Sequence, residues 1–257
     1  ATTEDITGLL AGNYVVTITD DNGCIFNKTY TVTEPAVLSI AKTITKVLCN
    51  GNADGGINLT ITGGTATYSY SWTGPNSFTA NTEDITALLA GDYDITVTDL
   101  NNCQISDKIT VTEPTAMALA YVRTEVKCKN ENNGAIDLTV VGGTIAIDYV
   151  YDWASIKGYT SAVADITNLI ADEYTYTITD DNGCVLTDTV NISEPALLGL
   201  NISSVSVCDG QGTLTFNAYG GTSPYTYMVD RFPATSPVTN LPDKVYEVYT
   251  TDLNNCR

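Results

Sequence analysis

The sequence predicts an all-β protein, a string of small antiparallel β-sandwiches of about 80 residues each. Three observations predict it. Thr, Tyr, Val and Ile are abundant beside Asp, Asn and Gly, while Lys and Arg together number only 11. β-branched and aromatic residues suit a pleated, half-buried surface, and Asp, Asn and Gly suit tight turns. Apolar and polar residues alternate with period two, as in Ile57, Leu59 and Ile61 against Asn58, Thr60 and Thr62. One pattern also recurs along the chain with a period near 80.

The recurrence is clearest from Asp5-Ile6-Thr7 through Tyr14 to Asp20-Asp21-Asn22-Gly23-Cys24. It returns from Asp84 through Tyr93 to Asp99–Cys103, and from Asp165 through Tyr174 to Asp180–Cys184. A looser copy passes Tyr246 and ends at Asp252–Cys256. The closing cysteines are 79, 81 and 72 residues apart (103−24, 184−103 and 256−184). Thr33-Glu34-Pro35, Thr112-Glu113-Pro114 and Ser193-Glu194-Pro195 close successive copies. Gly63-Gly64, Gly142-Gly143 and Gly220-Gly221 sit mid-repeat. A unit of this size makes its own core. The chain therefore divides into four beads: 1–35 (second half only), 36–114, 115–195 and 196–257 (last strand missing). Because both ends fall inside a repeat, a longer natural chain is expected.

Within bead 2 the strands are expected at about 37–47 (A), 56–62 (B), 67–73 (C), 83–89 (E), 92–99 (F) and 104–112 (G). The 74–82 stretch is a loop or short edge strand. One face of each strand is apolar and one wet, as in a sandwich layer. This is Ig-type order. Trp72 and Trp153 then stand where a buried strand-C Trp belongs. Tyr14, Tyr93, Tyr174 and Tyr246 stand where a tyrosine corner opens strand F. All six are expected in cores. The last bead carries Val229 in place of the Trp. Short Glu-Pro linkers, stiffened by proline, imply an extended rod.

Composition excludes several functions. With 30 acidic residues against 11 basic the net charge is −19, so nucleic acid and anionic bilayers are not expected partners. No apolar run reaches the length of a membrane span. There is no histidine, which removes Ser–His–Asp and Cys–His catalysis and His-containing zinc sites. The acids recur in register with the repeat, as scaffold residues do, so no enzyme and no cofactor are expected.

The late turns allow two readings. Asp20, Asp21 and Asn22, then Asp99 and Asn101, then Asp180, Asp181 and Asn182, then Asp252 and Asn254, put several oxygens into one loop. Calcium could use them. In the alternative the Asp makes an Asx-turn and Gly23, Gly183, Asn102 or Asn255 takes a positive φ.

The seven cysteines are Cys24, Cys49, Cys103, Cys128, Cys184, Cys208 and Cys256. Each repeat has an early one before strand B and a late one at the F–G turn. Disulfides fit an exported acidic protein better than metal or a nucleophile. Joining a late cysteine to the next early one is rejected, because strands G and A would separate the pair by far more than the roughly 7 Å limit on Cα spacing. Pairing within a bead (Cys49–Cys103, Cys128–Cys184, Cys208–Cys256) requires strand A to be short or displaced. Pairing across beads (Cys49–Cys184, Cys128–Cys256) uses the opposed ends of an Ig-type bead and is favoured. It leaves Cys24, Cys103 and Cys208 to partners elsewhere. Free thiols are the third alternative.

The motifs together resemble the SprB-type repeat of Bacteroidota surface proteins. The resemblance rests on Cys49 with Ala53-Asp54-Gly55-Gly56-Ile57, Thr62-Gly63-Gly64, Tyr68-x-Tyr70-x-Trp72, Leu89-Ala90-Gly91-x-Tyr93, Asp99-x-Asn101-x-Cys103 and Thr112-Glu113-Pro114. It implies export by the type IX route, a cell-surface location and a place in long filamentous adhesins, including those of gliding motility. Asp188-Thr189-Val190 resembles the O-glycosylation motif of such secreted proteins, with Thr189 the acceptor. The expected function is a stalk that spaces an adhesive tip from the cell, with neighbouring repeats of the same chain and other copies in a filament or bundle as partners. The alternative is that the beads themselves bind glycans or surfaces. Loops between strands C and E differ between copies (Thr73-Gly74-Pro75-Asn76 against Ala154-Ser155-Ile156-Lys157), which favours the spacer.

Overall fold

The computed structural model describes residues 4–206 and 211–257. It is built of antiparallel strands, with one 3-10 turn and no α-helix among the described residues. The chain forms two compact units, residues 1–113 and 114–257.

The first unit opens with a ribbon of β1 (Gly12–Thr19) and β2 (Ile25–Val32). Two sheets follow. One has the order β3-β4-β7, from β3 (Ser39–Thr45), β4 (Gly55–Thr62) and β7 (Ile85–Leu88). The other has the order β6-β5-β8-β9, from β5 (Ser69–Gly74), β6 (Phe78–Ala80), β8 (Gly91–Thr98) and β9 (Gln104–Val111). Strands A, B and E thus form one layer and C, F and G the other. The 74–82 stretch resolves into a 3-10 turn at Pro75–Ser77 and the short edge strand β6. Alternation does what it should: Ile57 and Leu59 point into the core with Trp72, Ile95, Val97 and Ile109.

The second unit holds two such sandwiches. In the first, β10 (Ala118–Thr124), β11 (Gly134–Val141) and β14 (Ile166–Leu169) form one sheet. β12 (Val150–Ser155), β13 (Thr160–Ser161), β15 (Asp172–Thr179) and β16 (Val185–Ile192) form the other, in the order β13-β12-β15-β16. The last sandwich pairs β17 (Gly199–Ser206), β18 (Gln211–Tyr219) and β21 (Val238–Pro242) in one sheet. β19 (Thr226–Val229), β20 (Phe232–Ala234) and β22 (Val248–Thr251) form the other. Its buried apolar residues are few, chiefly Phe216, Ala218 and Val229.

One edge of each sandwich sheet is short or kinked, whereas opposite edges such as β3 and β9 run for seven and eight residues. β6 and β13 have three and two residues. In β7, β14 and β21, Ala87, Asn168 and Asn240 take positive φ and interrupt the pairing register. Such edges resist pairing with other chains.

Four of the six expected core aromatics are buried: Trp72, Trp153, Tyr93 and Tyr174. Their polar ends are satisfied. Trp72 Nε1 donates to Thr82 O at 2.9 Å and Trp153 Nε1 to Val163 O at 3.0 Å. Tyr14 and Tyr246 depart from expectation and are only half-buried. Beside Tyr14, the β1–β2 ribbon faces no second sheet among the described residues, and Val16 and Ile18 are 41% and 57% exposed. Tyr246 lies before a strand of only four residues in the thin last core. All four tyrosines still make the corner bond to the carbonyl four residues back: Tyr14 to Leu10, Tyr93 to Leu89, Tyr174 to Ile170 and Tyr246 to Pro242, at 2.8–3.0 Å.

Candidate functional site: the junction between beads

The recurring motifs converge on the two ends of a bead. At the entry end the late turn folds around its Asp. Asp99 Oδ1 accepts the N–H of Asn101 (2.9 Å) and of Cys103 (2.8 Å), and Oδ2 accepts that of Thr65 (2.8 Å). Asp180 repeats this with Asn182, Cys184 and Thr144, and Asp252 with Asn254, Cys256 and Thr222. Asp20 keeps the two local bonds, to Asn22 and Cys24. Gly23, Gly183, Asn102 and Asn255 all take positive φ, as an Asx-turn of this kind requires.

These bonds set the carboxyls' acidity. The Thr65 N–H holds Asp99 below the usual carboxylate range against the opposing effect of burial, helped by the Cys103 and Asn101 N–H groups. At Asp180 burial pushes upward, but the N–H groups of Thr144, Cys184, Asn182 and Gly183 outweigh it and hold the group low.

The same turn gathers the glycine pair and the linker. Gly64 and Gly143 have φ of 62° and 66°, and a Cβ on either would press on the carboxylate of Asp99 or Asp180, 2.9 or 2.7 Å away. Gly64 N donates to Ala36 O, Gly143 N to Thr115 O and Gly221 N to Ala196 O, at 2.7–2.8 Å. The linker's end is thereby pinned to the bead it enters. The hydroxyls of Tyr68, Tyr149 and Tyr225 donate to the carbonyls of Gly63, Gly142 and Gly220. Asn101 and Asn182 Nδ2 donate to Thr65 and Thr144 Oγ1.

The carboxylates of Asp20, Asp99, Asp180 and Asp252 thus accept backbone N–H groups of their own turns. Among the described residues no group of three or more Cys, Asp or Glu side chains is placed to hold a metal. The turn reading accounts for Asp20, Asp99, Asp180 and Asp252. Asp181 caps a neighbouring loop instead, accepting the N–H groups of Ala146 and Ile147; Asp21 is exposed. Thr189 is exposed on β16, opposite Thr175.

At the exit end the Glu of the Glu-Pro motif has a role that the sequence did not suggest. Glu113 Oε2 accepts the N–H of Gly51 at 2.6 Å, and Glu194 accepts that of Asn130 at 2.7 Å while pairing with Lys129. The end of strand G also holds the loop, through Val47 N to Thr112 O and Val126 N to Ser193 O. The A–B loop, with its early cysteine, is thus clamped beside the linker. The signal available was the recurrence of Glu itself, 62 and 64 residues after the early-loop residue it meets.

The two ends meet in the second unit. Cys128, in the A–B loop of bead 3, is disulfide-bonded to Cys256, in the late turn of bead 4, with Cα atoms 5.6 Å apart. Beside it Asn254 Nδ2 donates to Lys127 O at 3.0 Å as well as to Thr222 Oγ1. This is the favoured pairing across beads, and it overturns the pairing of Cys256 or Cys128 within a bead. Cys49 and Cys184 also stand in disulfides. Cys24 and Cys103 are free and exposed, so the pairs Cys49–Cys103, Cys24–Cys49 and Cys103–Cys128 do not form. The reason is topological: the A–B loop and F–G turn lie at opposite ends of a sandwich, so a late turn reaches the loop of the adjoining bead more readily than its own. Cys208 lies outside the described residues.

Residues 41–77 and 120–157 match the family described as the SprB repeat. The chain carries SprB repeats. The two matches cover the same stretch, from strand A to the turn after strand C, in beads 2 and 3. SprB repeats belong to cell-surface adhesins. No curated protein matches the sequence. Among solved structures, a tetra-tandem repeat from the extending region of a large adhesion protein is 14% identical, covering 98% of this chain and 73% of that one, with a TM-score of 0.33. The amphioxus IgVJ-C2 molecule is 15% identical over 51% of this chain and 90% of that one, with a TM-score of 0.25. Eight Ig domains of the Down syndrome cell adhesion molecule are 9% identical over 83% and 32%, with a TM-score of 0.28. At these TM-scores the likenesses carry no argument.

Proposed function

We propose that these SprB repeats are a non-catalytic spacer within a secreted cell-surface adhesin, holding an adhesive tip away from the cell. The observation that carries this reading is where the repeated residues go. Asp, Asn, Gly-Gly, Tyr, Glu and Cys of the motifs are spent on closing each bead's two ends and on joining bead 3 to bead 4. The loops that differ between copies lie between strands C and E, where a shared ligand site would need sameness. The short or kinked strand at one edge of each sheet supports a chain that resists pairing with its neighbours along that edge. The repeats' family supports export, and gliding or attachment by the type IX route remains part of the proposal.

The test is binding. The oxidised 257-residue chain, applied to a glycan array and to polysaccharide and abiotic surfaces, is expected to bind none of them above a β-sandwich control. Specific, saturable binding would replace the spacer with the adhesive-module reading.

A further inference from the structure

We propose that bead 4 is a strand acceptor: the open edge of β22 and the groove beside it bind one extended segment of another polypeptide, with apolar side chains at every second position.

The beads share one design, and bead 4 departs from it at one edge. In bead 2, β8 lies between β5 and β9, and in bead 3, β15 lies between β12 and β16. In bead 4 the sheet has the order β20-β19-β22, so among the described residues β22 pairs on one side only. An edge of this kind presents a row of backbone N–H and C=O groups, a template for a further strand. The core beside it is open too. Gly212 pairs opposite Leu241, as Gly55 does opposite Leu88 and Gly134 opposite Leu169. A Cβ on Gly55 would meet Val111 Cγ1 at 2.8 Å, and one on Gly134 would meet Ile192 Cγ2 at 3.0 Å. Those side chains end β9 and β16. A Cβ on Gly212 would meet only the carbonyls of Val205 and Leu241, at 3.4 and 3.6 Å. The place of Val111 and Ile192 is here a groove of about 360 Å³, lined by Val205, Gly212, Leu214, Leu241 and Tyr246 among others. Leu214, Leu241 and Tyr246 are half-buried, whereas Ile57, Leu88 and Tyr93 in the same places of bead 2 are at most 2% exposed.

Sheets recognise extended peptides through such an edge and groove: main-chain hydrogen bonds give affinity, and pockets for alternate side chains give specificity. The occupant is read from the beads that hold theirs. β9 packs Ile105, Ile109 and Val111 on its core, and β16 packs Leu186, Val190 and Ile192. Between Ile105 and Ile109, Asp107 pairs with Lys42 of β3. In β17 that place belongs to Ile202, which lies opposite Phe216 as Lys42 lies opposite Leu59, and is 49% exposed. A segment fitted to bead 4 therefore carries an aliphatic residue where β9 has its acid. A second copy of this chain is a poor donor, because β2, β9 and β16 are each held in their own sheet by eight residue pairs. The occupant is an unpaired segment of a different polypeptide.

The test uses the oxidised 257-residue chain and a fluorescently labelled peptide of residues 105–113 carrying Asp107→Val, followed by fluorescence anisotropy. Saturable one-to-one binding is expected, at least about fivefold tighter than to the unsubstituted peptide, with none to a scrambled one. Gly212→Val fills the groove from the chain's own side. It should weaken binding at least about tenfold with no loss of melting temperature. No saturable binding, no preference for the valine peptide, or equal affinity in Gly212→Val would overturn the proposal. Should Gly212→Val fail to fold, hydrogen exchange of the parent chain decides. The peptide is expected to slow exchange in residues 246–251 and leave residues 93–98 unchanged, and an unchanged 246–251 overturns the proposal. A chain that sediments as a dimer before peptide is added has exchanged strands between copies, which also overturns it. None of these readouts depends on whether the beads bind glycans.

Discussion

Cys128 and Cys256 are 128 residues apart in sequence and covalently joined, with Cα atoms 5.6 Å apart. Ordinary Ig disulfides lie within one sandwich and tie its two sheets together. Here the sheets pack around Trp72 in bead 2 and Trp153 in bead 3 and are bridged by polar contacts such as Lys42 with Asp107 and Arg123 with Asn191 O, and the Cys128–Cys256 disulfide is used between sandwiches. A closed loop of this length restricts the unfolded chain strongly. Cys128→Ser with Cys256→Ser should cost about 2–4 kcal/mol. Thermal unfolding followed by circular dichroism checks this, and reductant acting on the parent chain, which also opens the disulfides of Cys49 and Cys184, should cost at least as much.

The tryptophans are the largest side chains in their cores, and Trp153 is fully buried. Trp153→Ala removes that volume and orphans the carbonyl of Val163, so it should cost about 3–5 kcal/mol. Denaturant titration of the variant against the parent chain measures it.

Ala87 has φ of 56° in an exposed kink of β7, whereas Asn168 and Asn240 fill the matching places in β14 and β21. A left-handed conformation costs a non-glycine residue roughly 1–2 kcal/mol, and Asn tolerates it best. Ala87→Gly and Ala87→Asn should each stabilise bead 2 by about 0.5–1 kcal/mol. A lowered melting temperature in both would mean that the kink is not where the strain lies.

Asp99 and Asp180 are held below the ordinary carboxylate range by backbone donors. Their folded pKa values lie below the unfolded ones. The stability they contribute is thus fully present above about pH 4, the unfolded value, and is lost as pH falls through the folded value. Acid also relieves the self-repulsion of a chain of net charge −19, so the informative comparison is differential. Asp180→Asn keeps the acceptor shape and removes the titration. Its melting temperature should fall less steeply below pH 4 than that of the parent chain, and parallel curves would contradict the assignment.

Much of this was legible in the sequence because it depends on local chemistry. Period-two alternation placed β4, β8 and their repeats; the Asp-x-Asn turn announced its own hydrogen bonds; Tyr93 and Trp72 marked the core by spacing. What stayed hidden depends on residues that meet only after folding. Glu113 and Glu194 reach back some 62–64 residues to the A–B loop, and beside a proline they read as linker. Tyr14 and Tyr246 carry the corner motif, yet their burial is set by how much sheet faces them, which no local pattern records. The cysteine pairing lay between these cases. Bead topology narrowed it to opposed ends, and only the assembled junction placed Asn254 and Cys256 against Lys127 and Cys128.

The most direct test of the junction is non-reducing peptide mapping of the oxidised chain by mass spectrometry. A disulfide-linked pair of peptides carrying Cys128 and Cys256, converted to its two halves by reductant, is the expected result, with Cys103 alkylated as a free thiol. A Cys128–Cys184 or Cys208–Cys256 peptide in its place would contradict the stapling of bead to bead.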